Sequence, residues 1–314
     1  MPNPLVSMQF VRLLDDRLRE VTERPFRELP SMIDTLYRML PSDSAWEEFY
    51  EVGAVPDIPA FSGKLQYLAI APGYHVRIEP KEFAGGIQAE RKLLDDKRYA
   101  VLDDRASGLG ESAQRTREKY GVEPFAYAFS SAFTFMTNEE GVSLCNDSHT
   151  TKSGTSTSTG FDNAGTSAIS KTAIQATRLL MRKFRNDISE RIVIEPDTLI
   201  VPDNLYDAAC ELVGYSPETG ATSQLDSESA QFKINVNYKR FKVIPYLRLD
   251  DYDTNNWYMV DSNLMKKFLI WIDRVKPETN TTIDFETFLV KHSIYFRIGW
   301  GWINWRWVFG MNVS

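Results

Sequence analysis

The sequence predicts an α+β protein, and three observations carry that prediction. Apolar residues recur at helical spacing near the N-terminus, and the period changes to two from Phe61 onward. A strand-then-helix pair at 198–213 then leads into a run of strands that closes the chain. With 314 residues, 43% of them hydrophobic and 25% charged, the chain has material for a sizeable core and about two domains. Wholesale disorder is excluded by the same composition.

Residues 5–22 read as an amphipathic helix. Phe10, Leu14, Leu18 and Val21 share one face, and Arg12, Asp15, Asp16 and Arg19 lie away from it. Pro25, Pro30 and Pro41 bracket a second helix over 31–40, with Ser31 placed to cap it. Strands are expected at LQYLAI (65–70) and HVRIEP (75–80), broken by Ala71-Pro72-Gly73, and again over 83–94, where Gly85-Gly86 suggests a bulge. Their charged, weakly apolar faces suggest a long hairpin that projects from the body. Residues 103–137 read as helical. Gly110, Gly121 and Pro124 leave open one kinked helix or two abutting ones. The stripe Phe125, Ala128, Phe129, Ala132, Phe133 and Met136 reads as core. A Thr/Ser/Gly loop follows at 150–167, then a helix at 169–186 whose Arg178, Arg182, Lys183 and Arg185 suit a solvated face. Strand 198–202 and helix 204–213 precede a second polar loop at 215–230. Strands at 232–247, 256–261, 266–272 and 293–309 complete the chain.

The charge balance, 36 Lys+Arg against 43 Asp+Glu for a net −7, argues against a protein that grips nucleic acid through a basic face. It leaves room for one that merely encloses it. Two cysteines, Cys145 and Cys210, make no disulfide framework and fit a reducing compartment. The first residues lack the basic n-region of a signal peptide, and no apolar run approaches the roughly 20 residues of a membrane span. A soluble, intracellular product is expected.

Four constellations bear on chemistry. GFDNAGTS (160–167) spaces Gly160 and Gly165 like a phosphate loop but has Thr166 where the lysine belongs. DDYDTNN (250–256) imitates a calcium loop, with Asn256 in place of its glycine and Ser262 in place of its bidentate glutamate. Cys145, Asp147, Ser148 and His149 crowd into five residues, but triads are assembled from distant segments, and a zinc site would need two further ligands. The aromatic end, 295–310, could stack on bases through its tryptophans. Its period-two alternation instead reads as buried strand. No convincing active site emerges. The rival readings are a soluble α/β hydrolase-like enzyme using His149 with Asp147 or Cys145, and a single-strand-binding module using the Trp-rich end.

Several segments resemble the major capsid protein of tailed bacteriophages, the Hong Kong 97-type fold, and within it the Mu-like major head subunit. EFAGGIQAERKLLDDKRY (82–99) resembles the returning strand of that family's extended loop and its exit into a long spine helix. GVEPFAYAFSSAFT (121–134) is similar to the apolar half of that helix, and NEEGVSLCNDSHT (138–150) to the pass into the axial domain. IEPDTLIVPDNLYDAACELV (194–213) resembles the family's strand and following helix, and NWYMVDS (256–262) and 293–309 its closing strands.

The resemblance implies an N-terminal helical arm at 1–60 and an extended β-hairpin loop at 61–98. A peripheral domain with the spine helix would follow at 99–160, an axial domain at 161–230, and closing strands shared by both at 231–314. It implies a head protein that assembles with itself into hexamers and pentamers of an icosahedral shell around double-stranded DNA, without sequence-specific binding. No cofactor, metal, catalytic residue or membrane is expected. Expected partners are a separate scaffolding protein, a portal protein and a cement or decoration protein. With Met1 so close to the arm helix, the chain is expected to persist uncleaved in the virion after assembly in the host cytoplasm. The arm residues Phe10, Leu14, Leu18 and Val21, and the hairpin charges Arg77, Glu79, Lys81, Glu82, Glu90 and Arg91, are the expected intersubunit contacts.

Overall fold

A computed structural model of the chain describes residues 7–96, 98–215, 235–284 and 286–313. The N-terminal half holds α1 (Ser7–Glu28), α2 (Met32–Leu36), β1 (Arg38–Pro41), β2 (Glu47–Val52), β3 (Pro72–Ile78) and β4 (Lys81–Glu90). It continues with α3 (Arg91–Asp95), α4 (Tyr99–Gly121), α5 (Glu123–Ala126) and β5 (Thr137–Asn138). Next come β6 (Ala164–Gly165), α6 (Lys171–Met181), β7 (Thr198–Val201), α7 (Tyr206–Val213) and β8 (Lys242–Pro245). The chain closes with β9 (Trp257–Val260), α8 (Ser262–Phe268), β10 (Leu269–Ile283), β11 (Leu289–Trp302) and β12 (Val308–Met311).

Three sheets organise these elements. The first has the order β1-β10-β11-β4, with Leu269 opposite Trp302 and Ile283 opposite Val290 along its central antiparallel pair. The 23-residue α4, about 35 Å long at 1.5 Å per residue, runs beside it and packs along α1, which also rests on β10. Bidentate bonds from Arg117 Nη1 and Nη2 to Asp273 Oδ1 (2.9 Å) and Oδ2 (3.3 Å) fasten α4 to β10. The second sheet, β6-β12-β9-β7-β8, is wholly buried along TLIV, WYMV and VFGM, as a sheet covered on both faces requires. Helix α6 packs on it behind the N-cap Ser170, whose Oγ accepts the Ala173 N–H (3.1 Å). Helix α7 stops at Gly214, whose φ of 78° is the left-handed C-cap that glycine adopts freely. One core joins the two sheets, and the Trp-rich end supplies its centre: Trp300, Trp302, Trp305 and Trp307 are all buried with Trp257 and Trp271. The alternation 296–302 is therefore packing, and the base-stacking rival loses its residues.

The third sheet, β2-β3-β5, corrects the expected hairpin. LQYLAI (65–70) forms no strand, and HVRIEP does not pair with the strand after it. Instead β3 pairs antiparallel with β2, Val76 opposite Phe49, while β4 joins the first sheet beside β11. The hairpin thus exists but begins earlier, and residues 61–98 are divided between two sheets. The reason is compositional. EEFYEV (47–52) alternates Glu47, Phe49 and Glu51 inward, so its acidic residues disguise a strand. The ladder from β4 to β11 runs in unbroken register through Gly85-Gly86, so the expected bulge is absent there.

Of the two helical readings left open, the abutting pair is found: α4 ends at Gly121 and α5 begins at Glu123, ahead of Pro124. Gly110 does not break α4; a Cβ there would fall on the Thr22 carbonyl, so glycine is what lets α1 lie against α4. Helix ends at Ala126, and the remaining stripe is buried without helical spacing: Phe125, Ala128 and Met136 lie inside, Phe129 and Phe133 pack against them, and Ala132 is exposed. Most of the polar loop expected at 215–230, and the start of the strand expected at 232, lie outside the described residues.

Candidate assembly surfaces

Among the described residues, the β2–β3 hairpin carries a long run of exposed large apolar side chains. Between its strands, residues 53–71 have no regular structure, punctuated by Pro56 and Pro59, and 57–67 are exposed throughout. Ile58, Phe61, Leu65 and Tyr67 are 89%, 80%, 68% and 92% exposed, and Val55 and Ile70 are exposed beside them. Scattered apolar exposure is ordinary; a continuous, nearly uncharged run of it marks an interaction surface. Sequence reasoning misses these residues as contacts. Their signal is an apolar stretch with only Asp57 and Lys64 charged and with no period to bury it.

The hairpin's base is firmly held. Ala54 N–H donates to Asp187 Oδ1 (2.8 Å), and Asp57 N–H donates to Glu190 Oε1 (3.0 Å). On the other strand, His75 N–H donates to Glu139 Oε2 (3.0 Å), which also lies 2.8 Å from the ring Nδ1, and Lys152 Nζ donates to Glu139 Oε1 (2.6 Å). Lys152 and His75 hold the Glu139 carboxyl down at about 2.

The expected hairpin charges lie mostly elsewhere and have partners in their own chain. Arg77 stacks 4.3 Å over Trp46 and lies 3.9 Å from Glu79. Lys81 Nζ sits 5.4 Å over Trp300, and Glu82 is 3.3 Å from Arg297 on the neighbouring strand. Glu90 and Arg91 are exposed at the end of β4 and the start of α3.

The arm stripe also departs from expectation. Leu18 is buried against Ala89, Leu102 and Ala106 of its own chain, with Leu14 and Val21 packed beside it. The small residues Ala106 and Gly110 leave α4 a groove that this stripe fills, so Leu18 is spent within the subunit. Thr22 Oγ1 and His292 Nε2, 2.9 Å apart, add a buried polar contact. The side chain of Phe10 lies outside the described residues.

The chemical constellations resolve into structure. His149 is buried, stacked 4.1 Å on Trp305, with Nδ1 3.1 Å from Glu140 Oε1 and Nε2 3.0 Å from Asn163 Oδ1. Neither Asp147 nor Cys145 is its partner. Burial pushes the Cys145 thiol far above its ordinary range, the reverse of what a nucleophile needs. In 160–167, Phe161 and Asn163 are buried, and Asn163 Nδ2 donates to Leu144 O (2.9 Å) and Val308 O (3.2 Å), so this loop stitches the core. Asp253 Oδ1 accepts the Asn255 and Asn256 N–H groups (2.7 and 3.2 Å), which makes DDYDTNN a self-capped turn. Among the described residues no group of three or more acidic, histidine or cysteine side chains could hold a metal ion, and no helix is long and apolar enough to cross a membrane.

Comparison with known proteins agrees with this architecture. The family model "Phage capsid protein" matches residues 75–310. No curated protein matches the chain. Among solved structures, the mature capsid of bacteriophage PhiM1 superposes with a TM-score of 0.57 at 11% identity, covering 91% of this chain and 87% of that one. The procapsid of bacteriophage JBD30 gives 0.52 at 13% identity, covering 98% and 76%. The capsid of a native GTA particle gives 0.52 at 11% identity, covering 91% of each. At these identities the structures speak for the fold, which is the Hong Kong 97-type capsid fold, and the family match speaks for kinship. With three quarters of its length matched by that model, the chain belongs to the phage capsid protein family and is a major capsid protein, a component of the virion shell.

Proposed function

We propose that this protein forms hexamers and pentamers of an icosahedral shell around double-stranded DNA, acting without catalysis or cofactor. The observation that carries the reading is the 53–71 connection, an apolar strap with a tethered base and no cover in its own subunit. Laid across a neighbouring copy, it would bury Ile58, Phe61, Leu65 and Tyr67. Burial of each such side chain is worth about 1.5–3 kcal/mol. The extended loop of the family is then residues about 42–80 rather than 61–98. The first sheet with α4 corresponds to a peripheral domain, and the second sheet with α6 and α7 to an axial domain. The charges Glu79, Glu90 and Arg91 remain proposed rim contacts, and Phe10 the proposed arm contact. Within the family, the quoted segments favour the Mu-like branch. A scaffolding protein, a portal and a cement or decoration protein are proposed partners, and the host cytoplasm the proposed place of assembly.

Limited proteolysis tests the strap. Cleavage within 53–71 should be rapid in the unassembled chain and suppressed in assembled particles. Equal cleavage in both states contradicts the reading.

A further inference from the structure

The first sheet stops on one side at β4, and that edge is left open. β4 runs for ten residues in unbroken register with β11, with no proline inside and, among the described residues, no strand beyond it. Between Glu82 and Glu90 it carries no charge, and Ala84, Gly85 and Gly86 have no bulk to hold another strand away. The flank of β10 on the opposite side is defended. There the register shifts twice, Pro277 stands between Lys276 and Glu278, and α1 rests alongside. Sheets blunt an exposed edge by such devices, because a bare row of N–H and C=O groups templates pairing with another chain. Over 83–89, β4 has none of them. Gln88 O accepts from Arg105 Nη1 (3.2 Å), a contact at the exposed surface that an incoming strand would replace.

The segment equipped to fill that edge is LQYLAI (65–70) of the strap. It has the composition of a strand and forms none in its own subunit. Extended, it spans about 20 Å, as do residues 84–89 of β4. Charge chooses the direction. Lys64, just ahead of the segment, has no acidic partner among the described residues, and Glu90 at the far end of β4 has no basic one. Glu82, which a parallel approach would offer to Lys64, is already paired with Arg297 (3.3 Å). An antiparallel approach with Lys64 opposite Glu90 also matches the faces, since opposed residues share one side of a sheet. Leu65 then meets Ala89 and Tyr67 meets Ile87, on the side where Ala89 is buried against Leu18 and Leu102. Gln66 meets Gln88 on the side open to water. A slip of one residue would reverse both.

We infer that residues 65–70 of one copy add to the first sheet of the next copy as a fifth strand, antiparallel to β4 along its open edge. The inference rests on the strap reading above and gives the strap its seat. The contact is head-to-tail: each copy gives one strap and receives another, which is the geometry of a ring rather than of a two-fold dimer.

The test assembles and then oxidises the full chain carrying Gln66→Cys and Gln88→Cys. Both positions are exposed, and the native Cys145 and Cys210 are buried. Opposed residues of an antiparallel pair lie about 5 Å apart at Cα, within the span of a disulfide. On denaturing, non-reducing gels most chains should run as covalent multiples, up to the closed hexamer. Gln66→Cys with Glu82→Cys, displaced by about 20 Å along β4, should give roughly a fifth as many or fewer. Charge reversal is the second measurement, should the cysteine variant not assemble. Lys64→Glu and Glu90→Lys should each raise the protein concentration needed for assembly about twofold to fivefold, and the two together should restore it. Bridges between positions 66 and 88 that are absent from particles, that form within one chain or to another protein, or that are no more frequent than the displaced pair overturn the inference. So does a double charge variant that fails to recover. If the strap of those particles still resists proteolysis while the bridge is absent, the strap reading stands and its seat on β4 is refuted.

Discussion

Replacing Ile58, Phe61, Leu65 and Tyr67 together by serine separates folding from assembly. All four are strongly exposed in the single chain, so their loss should leave the thermal midpoint of the unassembled protein nearly unchanged; surface substitutions usually stay within about 0.5 kcal/mol. In a shell the same residues are covered. Full burial at about 1.5–3 kcal/mol each would contribute about 6–12 kcal/mol per subunit. Partial coverage and the ordering of the strap take back roughly half, leaving about 3–6 kcal/mol. At 1.4 kcal/mol per factor of ten, the protein concentration needed for assembly should rise about a hundredfold to ten-thousandfold. Sedimentation across a dilution series reads this directly, with calorimetry on the unassembled fraction as control. If the quadruple variant assembles at the wild-type concentration, the strap contributes nothing between subunits. If instead it unfolds, those residues belong to the subunit's own core.

Three further outcomes are expected from the packing. Gly110→Ala should lower stability by about 1–3 kcal/mol by driving α1 from α4, whereas Gly108→Ala, with open space at its Cβ, should be neutral or stabilising by up to about 1 kcal/mol; equal midpoints for the two would refute the close approach. His149→Ala should cost about 3 kcal/mol or more in denaturant unfolding, because it strands buried Glu140 and Asn163 oxygens, and an unchanged midpoint would contradict that pairing. Glu139 is held at about 2 against an ordinary 4.5, so its contribution is complete above 4.5 and disappears as pH falls toward about 2. The stability difference between wild type and Glu139→Gln should shrink over that window, and a difference that grows on acidification would refute the assignment.

The periodicity legible in the sequence is the periodicity that the subunit itself satisfies. TLIVP, the helix after it, WYMV and the alternating tryptophans are buried in one chain, and their patterns announce them. The strap is illegible for the opposite reason. Its apolar residues answer to no partner in the subunit, so LQYLAI resembles a strand that has nothing to pair with, while the true strand 47–52 looks too acidic. Gly110 misleads likewise, because a glycine serving close helix contact and one breaking a helix look the same along the chain. The arm stripe is legible as amphipathic, but the groove that receives it is made by Ala106 and Gly110, some ninety positions away.

The most direct test of the central claim is the mass and image of the expressed protein, taken alone and with a scaffolding partner, by sedimentation and electron microscopy. The account predicts closed shells in the megadalton range built from hexamers and pentamers of this 36.0 kDa chain. A population that remains monomeric or a small oligomer in both preparations would contradict it.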